Sequence, residues 1–166
     1  MRDIMMNSTG AVRVAFLVLC GLVGSARADA QNALPAFDVV SPQGAVVHSA
    51  GLSNQSRWLI VYVAPACAPC DRLLAMLAAS PATLATARLV VVIGANVTAA
   101  GRYAAEHLSG LPVSWYADVS GEGRRSLGLQ QPVALVAVEN GQRQWTVSGV
   151  LNDPRALETV IRTWVE

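Results

Sequence analysis

Apolar positions along the chain fall into short runs separated by turn-forming polar clusters, and their spacing predicts the elements. Trp58-Leu59-Ile60-Val61-Tyr62-Val63 is β-branched and aromatic, which predicts a buried strand over 58–64. Cys70, Leu73, Leu74 and Leu77 then recur at helical spacing, with Pro81 predicted to stop that helix. Leu89 to Ile93 is a continuous apolar run ending at Gly94, the pattern of a strand covered on both faces. A helix is predicted over 97–108 and a strand over 113–117. A polar loop follows over 118–125, carrying Gly121 and Gly123. Pro132 opens the strand Val133 to Val138, and Asn140-Gly141 signals a tight hairpin returning along Gln144 to Val147. Asp153 is placed to cap a last helix, with Pro154 at its first position and Leu157, Val160, Ile161 and Trp164 on one face. Upstream, Leu34 to Val40 reads as extended, Ser41-Pro42-Gln43-Gly44 as a turn and Ala45 to His48 as a second short strand. A βαβ unit followed by a hairpin and a helix makes an α/β fold: a central mixed sheet flanked by helices.

The first residues break this pattern. Arg2 and Arg13 precede an apolar core over 14–24, too short to span a bilayer comfortably. Ala26-Arg27-Ala28 and Ala28-Asp29-Ala30 are overlapping cleavage motifs. Residues 1–28 therefore read as a signal peptide, with cleavage after 28 or 30, and 31–166 as one domain. An uncleaved membrane anchor is the alternative. Leu19 before Cys20 argues against a lipid anchor on that cysteine.

Export changes how the cysteines are read. Of the three in the chain, only Cys67 and Cys70 lie outside the leader. The net charge is +1 and all twelve basic residues are arginine, with no basic run, so nucleic acid is not an expected partner.

Cys67-Ala68-Pro69-Cys70 lies where the first long strand hands over to a helix. Unpaired N–H groups and the positive end of the helix dipole there favour a thiolate at Cys67, and Cys70 is one turn on, close enough to close a disulfide. A zinc site would need two more ligands, and only Cys20, His48 and His107 could be added. His48 and His107 read more simply as solvated residues. A purely structural disulfide is the other bland reading, but a bridge closing so short a loop stabilises a fold little. Thiol–disulfide chemistry is the favoured reading. It needs no metal and no cofactor, because the two sulfurs carry the electrons.

Over nearly the whole length after the leader, the chain resembles thioredoxin-fold proteins, and most of all the exported TlpA-like branch. The resemblance rests on the cysteine motif, the loop containing Asp118, Leu127-Gly128-Leu129, and Pro132 before an apolar strand. Pro35-Ala36-Phe37, Gln43-Gly44 and Leu52 resemble that branch's N-terminal extension. It implies that Pro132 follows a cis bond and lies against the cysteines, and that Gln131 offers its backbone to an extended client. Ala66, Gln131 and Pro132 then form the substrate-binding wall, with Cys67 and Cys70 as the catalytic, redox-active pair. A narrower resemblance, over residues 62–74 with Gly149, Asn152, Arg155 and Leu157, is to methylamine dehydrogenase accessory proteins, which act on a disulfide-rich partner.

Departures from the family refine this expectation. Ala66 stands where thioredoxins carry Trp, and Val61 where they carry a buried acid; Asp71 and Glu106 are the candidate substitutes for proton removal from Cys70. Pro69 removes one N–H near Cys67, and Asp71 adds a negative charge that opposes thiolate formation. Both point to a reductant more than a strong oxidant. With the leader, the chain is read as a periplasmic oxidoreductase of client proteins bearing disulfides or thiols, exchanging electrons with a membrane-borne donor or acceptor. The alternatives are a non-catalytic adaptor of the same fold that binds an envelope partner and a peroxidase, whose Pro/Thr/Arg environment is missing around Cys67.

Overall fold

The computed structural model describes residues 32–79, 88–149 and 153–165. The expected leader with its cleavage sites, Cys20, the helix stop at Pro81 and Asn152 lie outside the described residues. Among the described residues no helix is long and apolar enough to cross a membrane.

Seven strands form one sheet in the order β2-β1-β5-β4-β3-β6-β7. They are β1 (Asp38–Val40), β2 (Val46–His48), β3 (Arg57–Val63), β4 (Leu89–Ile93), β5 (Ser114–Ala117), β6 (Ala134–Glu139) and β7 (Gln142–Ser148). Between them run α1 (Ala68–Ala78), α2 (Val97–His107) and the short α3 (Glu122–Ser126), and α4 (Pro154–Val165) ends the described chain. β3, β4 and β5 are parallel to one another, whereas β6 is antiparallel to β3.

The apolar run of β4 is buried along its whole length, as an interior parallel strand must be. β3 pairs on both sides, so its side chains alternate between two separate cores. Leu59, Val61 and Val63 join Cys67, Cys70, Leu73, Leu74 and Leu77 of α1 and Leu157 and Ile161 of α4. Trp58, Ile60 and Tyr62 face the other way, against Phe37, Leu127, Leu129 and Val136.

Two local signals act as expected, and a tertiary contact joins them. Asn140 and Gly141, at φ +51° and +74°, turn β6 into β7. Asp153 Oδ1 accepts from the Arg155 N–H at 2.9 Å, capping α4. Trp145 and Trp164 meet edge to face, 5.6 Å between centroids, which holds α4 on the hairpin. At the hairpin tip, Leu34 N–H donates to Gly141 O at 2.8 Å, so the chain joins the domain there.

The expected polar loop over 118–125 is in part a helix. Asp118 Oδ2 accepts from the Arg124 N–H at 3.0 Å, satisfying a donor of the first turn. Gly128, at φ +69°, ends the helix: Gly128 N–H donates to Arg125 O and Leu129 N–H to Arg124 O, both at 3.0 Å. This paired closure is a Schellman motif, which needs a left-handed residue at the position of Gly128.

Candidate active site

β3 ends at Val63 and the chain crosses Ala64 to Ala66 before α1 begins. Ala66 has φ +58°, a left-handed conformation that costs a residue with a Cβ on the order of 1–2 kcal/mol. Such local strain is concentrated at functional sites. The bend delivers Cys67 to the N-cap of α1, where its Sγ accepts from the Cys70 N–H at 3.2 Å.

Cys67 and Cys70 form a disulfide, with 5.2 Å between their Cα atoms. Cys67 is 8% exposed and Cys70 is fully enclosed, so an incoming group reaches the first sulfur before the second. The amide that holds Cys67 Sγ would hold a thiolate better than a thiol, because the acceptor gains charge.

Pro132 closes the site from the other side. Its carbonyl oxygen lies 3.2 Å from Cys70 Sγ, which joins the loop before β6 to α1. In the disulfide that sulfur has no proton, and on reduction the Cys70 thiol would find this carbonyl as acceptor. The expected cis bond at Pro132 is corrected: the Gln131–Pro132 bond is trans. The trans form of an X–Pro bond is favoured by about 0.5–1 kcal/mol, and here it still brings the Pro132 carbonyl to the cysteines. Gln131 is exposed beside Pro132, and among the described residues its backbone N–H and C=O have no partner.

A cavity of about 410 Å³ adjoins the site, lined by Pro65, Ala66, Asp71, Tyr103, Glu106 and His107 among others. Tyr103 donates its hydroxyl to Asp71 Oδ1 at 2.7 Å. His107 Nε2 lies 3.7 Å from Asp71 Oδ1 and 3.8 Å from Glu106 Oε1, and the imidazole rests on the Tyr103 ring at 4.4 Å. Burial and then the Asp71 carboxylate push the Tyr103 hydroxyl's pKa above its ordinary value. His107 is thus half-buried between helices and not the solvated last-turn residue its position predicts. Only the crossing of α1 and α2 brings Asp71, Tyr103 and His107 together. His48 is exposed, with Nδ1 accepting from the Ala50 N–H.

Val61 is fully buried in the same apolar cluster as the two cysteines, with no carboxylate at that position. The sheet's buried acid is Asp118, 2% exposed on the opposite side. Its Oδ2 accepts from Tyr62 Oη at 2.9 Å, while Oδ1 is buried without a partner among the described residues. Burial first, and Asp118 second, raise the pKa of the Tyr62 hydroxyl. The sequence pointed to the loop around Asp118 but not to its burial. No group of three or more His, Cys, Asp or Glu side chains arranged to hold a metal occurs among the described residues.

No protein-family model matches the chain, and no curated protein matches it either. Solved structures do resemble it. A thioredoxin-like protein from Porphyromonas gingivalis superposes with a TM-score of 0.66 at 23% identity, over 80% of this chain and 91% of that one. DsbF from Mycobacterium tuberculosis, solved in mixed oxidised and reduced forms, gives a TM-score of 0.64 at 19% identity, over 77% and 94%. A secreted disulfide oxidoreductase from the same organism, homologous to DsbE, gives 0.62 at 18% identity, over 76% and 95%. The fold is thioredoxin-like.

Proposed function

We propose that the protein is an exported thiol–disulfide oxidoreductase acting on client proteins through Cys67 and Cys70. The observation that carries this reading is Cys67 at a helix N-cap, the less enclosed of the two sulfurs, bonded to a fully enclosed Cys70 that touches the Pro132 carbonyl. Supporting it are resemblances in fold to a secreted disulfide oxidoreductase and to DsbF. The apolar leader over 14–24 supports export to the periplasm, as a soluble chain after cleavage or as an anchored one without it.

In the reducing direction, the Cys67 thiolate attacks one sulfur of a client disulfide, and the other client sulfur leaves as a thiolate that water protonates. A mixed disulfide between Cys67 and the client results. Cys70 gives up its proton, with water or Asp71 as acceptor, and attacks Cys67 Sγ. The client's remaining sulfur departs with its electron pair. The client has gained two electrons and the protein holds the Cys67–Cys70 disulfide. A dithiol-bearing donor, membrane-borne in this reading, restores the reduced pair by the same exchange in reverse.

Gln131 offers its free backbone groups to an extended client, and Ala66 and Pro132 complete the wall in this reading. Asp71 opposes Cys67 ionisation, which favours the reductive direction over strong oxidation. Turnover of insulin by the chain after the leader, in dithiothreitol, tests the proposal. Loss of turnover in Cys67→Ser is expected, and Cys70→Ser should accumulate mixed disulfides with its clients.

One observation favours a second reading. Val61 leaves the interior beside the cysteines without an acid, which suits an adaptor that binds an envelope partner without exchanging electrons. Wild-type protein that leaves insulin intact under these conditions would favour the adaptor.

A further inference from the structure

Arg124 joins two parts of the molecule that the exchange chemistry does not otherwise connect. Its backbone N–H donates to the buried Asp118 Oδ2 at 3.0 Å, and that same oxygen takes the Tyr62 hydroxyl at 2.9 Å. Its guanidinium reaches forward to the segment before the site: Nε donates to Leu129 O at 3.2 Å and Nη2 to Gln130 O at 2.8 Å. Leu129 also returns its N–H to Arg124 O at 3.0 Å, so residue and segment are clasped in both directions. Two residues after Gln130, the Pro132 carbonyl meets Cys70 Sγ at 3.2 Å. Arg143 adds a further donor, to Leu127 O at 3.2 Å.

The geometry points to Arg124 as the positioning residue for the client-docking loop. Resting on the exchange reading proposed above, the inference assigns Arg124 the task of fixing Gln131 so that its free N–H and C=O face an incoming chain in strand register. A planar guanidinium suits this, because its rigid fork presents donors to two successive carbonyls at fixed angles, whereas an ammonium is a point charge on a flexible stem. The carbonyls it takes are those of Leu129 and Gln130, so the Gln131 pair remains open to the client. Arg124 itself is exposed and touches no reacting atom. Its effect therefore falls on client binding and alignment and not on the sulfur chemistry.

Arg124→Met retains the aliphatic stem and removes every side-chain donor, and Arg124→Lys restores a charged donor group without the planar fork. The full-length folded protein carrying each change would be compared with wild type in steady-state reduction of a disulfide-bearing peptide. Backbone hydrogen exchange would be followed at the amides of Leu129 to Gln131. In Arg124→Met, KM for the peptide should rise about tenfold with kcat held within about twofold, a loss of about 1.4 kcal/mol of docking free energy. Exchange at the Leu129 amide, which donates to Arg124 O, should quicken, and Arg124→Lys should recover part of both effects. An unchanged KM in a folded Arg124→Met protein overturns the inference, as does a fall in kcat alone. Unchanged hydrogen exchange at the Leu129 amide overturns it too, even if the wild type proves to reduce no peptide, an outcome that sinks the exchange reading separately.

Discussion

The Tyr103 hydroxyl on α2 donates to Asp71 Oδ1 at 2.7 Å, tying the residue after Cys70 to a second helix. That bond spreads the negative charge nearest the site in sequence and fixes where it sits.

Asp71 lies in the first turn of α1, where a negative charge competes with the Cys67 thiolate for the positive end of the helix. Asp71→Asn should raise the reactive thiolate fraction of reduced Cys67 about two- to fivefold below neutral pH, the range set by charges at helix ends. Tyr103→Phe leaves the carboxylate less screened and should shift the fraction the opposite way. Iodoacetamide kinetics across pH would measure both, and shifts in the same direction would refute the assignment.

Cys70 is fully enclosed while Cys67 is partly open and N-capping. In reduced protein near pH 7, alkylation at Cys67 should exceed that at Cys70 by more than about tenfold, because ionisation and access act together. Mass spectrometry of the alkylated peptides decides it. Equal labelling would remove Cys67 from the attacking role.

Among the described residues, Tyr62 supplies the side-chain donor on Asp118. Tyr62→Phe leaves a buried carboxylate with the Arg124 N–H alone and should cost about 1–3 kcal/mol of stability. Urea denaturation of the oxidised protein would read the loss. A change below a few tenths of a kcal/mol would mean that Asp118 finds another partner.

Both Tyr62 and Tyr103 have hydroxyl pKa values raised in the folded protein, each mainly by burial. The folded state therefore keeps these protons at pH values where unfolded tyrosine, titrating near 10, loses them. The stability this provides is complete below about pH 10 and is lost as pH rises further, toward the raised folded values. Denaturation at pH 8 and pH 11 should show the drop, and a Tyr62→Phe/Tyr103→Phe variant should flatten it.

What the sequence disclosed was what local chemistry decides. β4, the cysteine turn, the Asn140-Gly141 hairpin and the Asp153 cap each depend on a few neighbouring residues, and each was readable. α3 was read as loop because its start relies on Asp118, a residue outside the helix that is fixed by Tyr62 from another strand. His107 was read as solvated because its burial comes from α1 crossing α2. The bond before Pro132 was expected cis on resemblance alone, and nothing in the residues around it decides the isomer. Cys67, Cys70, Ala66, Gln131 and Pro132 were all named in advance, whereas Arg124 was not. Its importance lies in a clasp between main-chain carbonyls, which leaves no pattern in the sequence.

The bond from Leu34 N–H to Gly141 O has an orienting effect. β6 runs from beside Cys70 to the Asn140-Gly141 tip, and six residues at about 3.3 Å each make that a span of roughly 20 Å. The chain therefore enters the domain at one pole and carries its disulfide at the other. Anything that grips the Asn140-Gly141 tip, a resin or a sensor surface, holds the domain a full strand length away from its sulfur pair and leaves that pair open to a client.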